Sequence, residues 1–136
     1  MGTTGYSGTP LLKKLGVKDG MKLMLINEPD NYFGLLDKDV TGQLCGKNEK
    51  PDLIHVFAKS RKEFENEMTK LRWLIKPTTV IWVSWYKKSA GIPTDLSEDI
   101  IRHYALENEL VDVKVCAVDE WWSGLKLVVP LAKRGQ

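Results

Sequence analysis

The chain has 136 residues and a mass of 15.5 kDa, enough for one domain that buries a core without disulfide or metal staples. Hydrophobic residues at 43% and charged residues at 28% exclude a disordered class, and no apolar run approaches the length of a membrane span. The formal net charge is only +2, with Lys and Arg dispersed among nearly as many acids, which argues against a nucleic-acid-binding face. Met1 to Ser7 lacks the apolar centre of a signal peptide, so a cytoplasmic location is expected. Cys45 and Cys116 have no paired spacing and are expected as reduced thiols, with no metal site.

In chain order, residues 1–8 are Gly- and Thr-rich and read as an extended arm. Thr9-Pro10-Leu-Leu-Lys-Lys-Leu15-Gly16 then predicts a short helix. Thr9 is its N-cap, Pro10 its first residue and Gly16 its stop. Met21 to Asn27 predicts a first buried strand. Asp30 is expected to cap a short helix carrying Tyr32, Phe33, Leu35 and Leu36. Residues 37–51 read as loop, with one brief strand near Val40 to Cys45. Asp52 to Ala58 predicts a second strand. Ser60-Arg-Lys-Glu63 is a capping box for a helix that lines up Phe64, Met68, Leu71 and Ile75 and stops before Pro77.

Val80 to Val83 is an unbroken β-branched and aromatic run, too short for a helix and too apolar for a half-exposed strand. It predicts a central strand covered on both faces. Ser84, Trp85, Tyr86, Lys87 and Lys88 follow it at once. In an open α/β sheet, ligands bind outside the carboxyl ends of the strands, so this cluster marks the place for a site. Gly91 to Asp95 is a turn, Asp95-x-x-Glu98 a second expected cap, and Ile100, Ile101, Tyr104 and Ala105 the stripe of another helix. Two alternating segments close the chain, Val111 to Ala117 and Leu125 to Leu131. They read as an antiparallel hairpin whose turn holds Glu120, Trp121, Trp122, Ser123 and Gly124.

This strand–helix series closed by a backward-running strand resembles the later part of the class I methyltransferase sheet, in which the last strand slots between its two predecessors. The resemblance implies that Leu125 to Leu131 inserts beside Val80 to Trp85. It stops at architecture. The turn Asn27-Glu28-Pro29-Asp30-Asn31 lacks the glycines that let backbone amides approach a cofactor, and Pro29 removes a donor. At least one βα unit is missing, and no acidic ribose ligand is identifiable. Gly5-Tyr-Ser-Gly-Thr-Pro-Leu11, Trp82-Val-Ser-Trp85 with Lys87-Lys88, Pro93-Thr-Asp-Leu96, Val113 to Glu120 and Trp122-Ser-Gly-Leu-Lys126 are similar to a family of short bacterial proteins known as a domain of unknown function. Tyr86 stands where that family's pattern has a proline.

The first candidate site is the strand-end cluster: Asn27, Glu28, Lys59, Ser60 and Ser84 to Lys88, with Asp119, Glu120 and Trp122 as further members. Lys87 and Lys88 would hold a phosphate or carboxylate, and Trp85 would stack on a ring. The bland reading is solvated lysines and a tryptophan that caps the core. Gly5-Tyr-Ser-Gly-Thr9 is a weaker anion loop, better read as an arm that docks Tyr6. Gly42-Gln-Leu-Cys-Gly-Lys47 is one residue short of a P-loop, and Asn48 stands where a hydroxyl must meet magnesium. His55 reads as core packing and His103 as surface, with no catalytic partner at interpretable spacing. Asp119 and Glu120 are adjacent and diverge, as do Trp121 and Trp122, one packing and the other free to anchor a partner.

The expectation is therefore a single α/β domain over 1–136, three-layered and Rossmann-like, with a mostly parallel sheet and a C-terminal antiparallel hairpin. No nucleophile, base, cofactor or metal set assembles, so the first functional reading is a non-catalytic binding or interaction module. The alternative is an enzyme or sensor that binds a nucleotide-like or other anionic small molecule at the strand ends, a degenerate methyltransferase-like site. The partner is expected to be a small anion or a protein, with neither nucleic acid nor membrane involved.

Overall fold

A computed structural model describes residues 10–46 and 49–133. The expected cap Thr9, the arm, the Gly5 to Thr9 loop, Lys47 and Asn48 lie outside the described residues. Five strands form one sheet in the order β1-β2-β3-β5-β4, with β1 at Leu23–Ile26, β2 at Leu53–Phe57, β3 at Val80–Tyr86, β4 at Val111–Ala117 and β5 at Trp122–Val128. β1, β2 and β3 are parallel, and β5 runs antiparallel between β3 and β4. The sheet is thus mostly parallel with an antiparallel C-terminal strand, in the order expected of the methyltransferase-like ending.

Alternation along β3 divides the core into two layers. Ile81, Val83 and Trp85 face the helices α3 (Arg61–Leu71) and α4 (Glu98–Glu107), where they meet Phe64, Met68 and Ile101. Trp82 and Tyr86 face the opposite layer. There α1 (Leu11–Leu15) and α2 (Tyr32–Leu36) supply Leu11, Leu15, Tyr32 and Leu36. The Trp82 indole donates to the carbonyl of Leu15 at 2.9 Å, which satisfies an acceptor left over where α1 ends. Gly16 stops that helix in the left-handed region, at φ 80°.

Several boundaries differ from expectation for local reasons. Pro10 is the cap of α1, and Asn31 precedes α2 where Asp30 was expected; neither helix has a side-chain cap. Ser60 caps α3 as expected, accepting from the Glu63 amide, while the Glu63 carboxylate reaches back one residue further, to the Lys59 amide. Ser97 takes the cap of α4, and Asp95 instead accepts from the Arg61 amide, joining the start of α3 to the loop before α4. β1 is an edge strand and only Leu23 in it is fully buried. The brief strand near Val40 reduces to a single parallel bridge between Leu23 and Leu44.

The largest shift is at the hairpin. β5 begins three residues before the expected Leu125, because Asp119 builds the turn. Its Oδ1 accepts from the amides of Trp121 and Trp122 at 2.8 and 2.9 Å. Gly124 therefore lies inside the strand, opposite Ser84 and Cys116. A Cβ there would meet the Trp82 ring at 3.3 Å and Ser84 Oγ and Val118 Cγ2 at 3.4 Å. β4 forms the second edge, with an irregularity between Asp112 and Lys114, and leaves Val113 and Val115 about half exposed. Gly124→Val should lower the unfolding free energy by about 1–3 kcal/mol in urea titrations, the usual cost of overpacking.

Candidate functional site

The strand-end cluster divides around β3. Trp85, Lys87 and Lys88 line a cleft of about 760 Å³ outside the carboxyl end of β3, walled by the loop from Gly91 to Leu96 and by the first turn of α4. Trp85 forms its floor beside Ser123, its registered neighbour on β5. Lys87 is positioned by its own amide, which donates to the carbonyl of Trp121 at 3.0 Å. The opposite wall is tied to β2's end. Thr94 Oγ1 donates to the Lys59 carbonyl at 2.8 Å, and Asp95 receives the Arg61 amide.

The charges in the cleft are unequally engaged. Asp95 is occupied by the Arg61 amide, while Glu98 and Asp99 are both bound to Arg102, which also reaches Asp112 on β4. Lys87 and Lys88 form no ion pair among the described residues. The lining thus holds two lysines without an ion pair among the described residues, beside three carboxylates of which Glu98 and Asp99 share Arg102 with Asp112. Trp85 and Leu96, both largely buried, and the half-buried Ile92 supply the apolar part of the lining. Chemically this suits an anion attached to an apolar or ring portion.

The other expected members go elsewhere. Asn27 and Glu28 end β1, two strands from β3 and about 10 Å away at ordinary strand spacing. They are exposed where α2 leaves β1 toward one face and α3 leaves β2 toward the other. Lys59 is exposed, and Ser60 is spent on its cap. Asp119 is buried in the hairpin turn, and Glu120 is exposed at its tip. Trp122 is buried, stacked on Tyr86 at 4.3 Å and edge-on to Phe57, whereas Trp121 is the exposed member of the pair. Sequence reasoning read Gly91 to Asp95 as a turn and left this wall of the cleft out of the candidate site. Its position after a parallel strand is the signal that would have placed it at the rim.

Ser84 is not at the cleft. It points into the α1/α2 layer, where its Oγ lies 2.7 Å from His55 Nε2, and His55 Nδ1 lies 2.8 Å from the Tyr32 hydroxyl. A histidine without a partner was expected, yet parallel pairing of β2 and β3 brings together residues 29 positions apart. A neutral imidazole has one donor and one acceptor nitrogen, so Tyr32 and Ser84 take opposite roles toward it. This resembles a nucleophile with its base, but Ser84 and His55 are both 0% exposed, so no substrate atom reaches them. Burial lowers the His55 pKa to about 3 and raises that of Tyr32. Burial likewise raises the thiols of Cys45 and Cys116, which keeps both protonated and weakly nucleophilic. No cluster of His, Cys, Asp or Glu able to hold a metal occurs among the described residues.

No protein-family model matches the chain, and no curated protein does. Among solved structures, it is similar to a protein of the NADB-Rossmann superfamily from Streptococcus agalactiae, with a TM-score of 0.54 and 13% sequence identity. That alignment covers 89% of this chain and 68% of the other. The fold is Rossmann-like. At this identity the likeness extends to the backbone path and leaves the chemistry of the site to the residues above. Among the described residues no helix is long and apolar enough to cross a membrane.

The buried histidine makes stability depend on pH. Its pKa falls from an ordinary 6.5 to about 3 on folding, so between these values the unfolded chain binds the extra proton. Stability contributed by the neutral ring is complete above pH 6.5. It falls on acidification by up to about 1.4 kcal/mol per pH unit. The variant Tyr32→Phe/His55→Leu/Ser84→Ala should show a shallower loss between pH 6.5 and 4 than the wild type in urea melts. His55→Leu alone should be the less stable at pH 7.5, because it leaves two buried hydroxyls without partners.

Proposed function

We propose that this is a non-catalytic binding module that holds a small anionic ligand, with a ring or apolar portion, in the cleft beyond β3. The observation that carries the reading is the pair Lys87 and Lys88, uncommitted to any ion pair among the described residues, above the apolar floor of Trp85. The anion would take charge-assisted hydrogen bonds from the two lysines, each worth about 1.5–3 kcal/mol. The ring would lie along Trp85, Ile92 and Leu96. The first turn of α4 adds backbone donors with a favourable dipole, partly offset by Glu98 and Asp99. A Rossmann-like sheet places ligands at this end of its strands, which agrees with the position of the cleft.

Binding with no chemistry fits the side chains present. The Ser84–His55 pair is sealed in the core, and both thiols are protonated. The degenerate enzyme remains the second reading, favoured only by the architecture shared with methyltransferases. A nucleotide such as adenosine 5′-monophosphate is a suitable probe because it joins a phosphate to a ring. At a hundred times its Kd it should stabilise the fold by about 2.7 kcal/mol, seen as a higher Tm with a saturable change in tryptophan emission. Lys87→Ala/Lys88→Ala should weaken binding at least about tenfold while keeping the unliganded Tm. Silence toward adenosine monophosphate, aryl phosphates and aryl carboxylates alike, measured by both Tm and emission, would remove the reading.

A further inference from the structure

A second cavity lies at the other end of the sheet, where α3 and α4 finish, and nothing in the proposed function uses it. Its volume is about 240 Å³, and its walls combine apolar Met68, Leu71, Ile75 and Ile81 with polar Tyr104 and Asn108. An apolar void of about 150 Å³ already takes up a benzene ring, so this one has room for a single ring or a short alkyl chain. Its lining includes two cations. Lys133 is 3.7 Å from Glu109, while Arg72 forms no ion pair among the described residues and lies 5.9 Å from the Trp73 ring centroid. One carboxylate therefore answers two positive charges. The two segments that border the cavity, Arg72 to Ile75 and Val129 to Lys133, also carry Trp73 and Leu131, 77% and 80% exposed.

From the apolar part of the lining, the excess of positive charge and the exposed apolar rim, we infer that this cavity takes the chain of a single-tailed anionic amphiphile, a medium-chain alkyl carboxylate. The tail enters between α3 and α4 and removes apolar surface from water at both partners. The carboxylate stays at the mouth, where Arg72 offers a planar, two-donor face suited to it. Trp73 and Leu131 extend the contact for the methylenes nearest the head group. A neutral or cationic head would leave the Arg72 charge unanswered, and that asymmetry gives the site its preference.

The test compares octanoate with octylammonium, both below their micellar concentrations, by calorimetry and thermal shift. Octanoate should bind saturably with one site per chain and raise Tm, and octylammonium should bind at least tenfold more weakly. Arg72→Glu/Lys133→Glu, which replaces two exposed cations and leaves Glu109 unpaired, should invert that order. Ile75→Trp, which fills the mouth, should abolish the octanoate response yet preserve the response to adenosine monophosphate. If that variant does not fold, the charge reversal decides alone. Equal binding of the two amphiphiles, or no effect of the charge reversal, would overturn the inference. So would a dimer in light scattering that octanoate cannot compete with, since a second copy would then fill the groove.

Discussion

β3 is hydrogen-bonded along both edges and packed on both faces, and that enclosure dictates what each of its residues can do. Ile81, Val83 and Trp85 must be apolar because α3 and α4 close over them. Trp82 must find a partner for its indole nitrogen, and the end of α1 supplies one. The chain becomes accessible again as β3 runs out, through half-buried Tyr86 and Lys87 to exposed Lys88. A cationic pair at that point is held against a rigid floor, because the Lys87 amide is bonded to the hairpin and the facing loop is bonded to the end of β2. Preorganisation of this kind reduces the ordering cost that a ligand must offset.

The insertion of β5 makes Gly124 a tightly enclosed position. An antiparallel strand beside β3 brings its residue 124 against Trp82 and Ser84, where a Cβ would sit 3.3–3.4 Å from both and could be accommodated only by small shifts. Glycine fits without displacing either side chain. The polar residue next to it, Ser84, would be costly in such a layer if it stood alone. His55 and Tyr32 complete its hydrogen bonding, and Phe57 stacks on the imidazole at 4.3 Å. No buried side-chain polar atom lacks a partner among the described residues. The network therefore acts as a packing element with strict geometry, in which loss of one member strands the others.

The two ends of the sheet differ in chemistry. At the carboxyl end the cleft is broad, its carboxylates are hydrogen-bonded to Arg102 or to a backbone amide, and its two lysines form no ion pair among the described residues. At the amino end the cavity is smaller and its interior is built from the ends of two amphipathic helices. Both lie on the α3/α4 side. The α1/α2 side carries the aromatic layer of Tyr32, His55, Phe57, Trp82 and Trp122 instead.

Much of the architecture was legible along the chain, because strand and helix periodicity, proline stops and caps act over a few residues. The interior position of Val80 to Val83 followed from its unbroken apolar run, and the Ser60 cap followed from Glu63 three residues later. The rim lysines followed from their place directly after that strand. Contacts across the sheet were beyond the reach of such reasoning. Ser84 and His55 are 29 residues apart, and only the register of β2 on β3 brings them into contact. Asp119, expected at the ligand rim, builds the hairpin turn by binding two amides, while Gly124, expected in that turn, lies within β5 in tight contact with Trp82. Short-range backbone preferences are written into neighbouring residues. Which side chain faces water, which is sealed and which ammonium keeps its charge uncommitted are set by packing between segments distant in sequence.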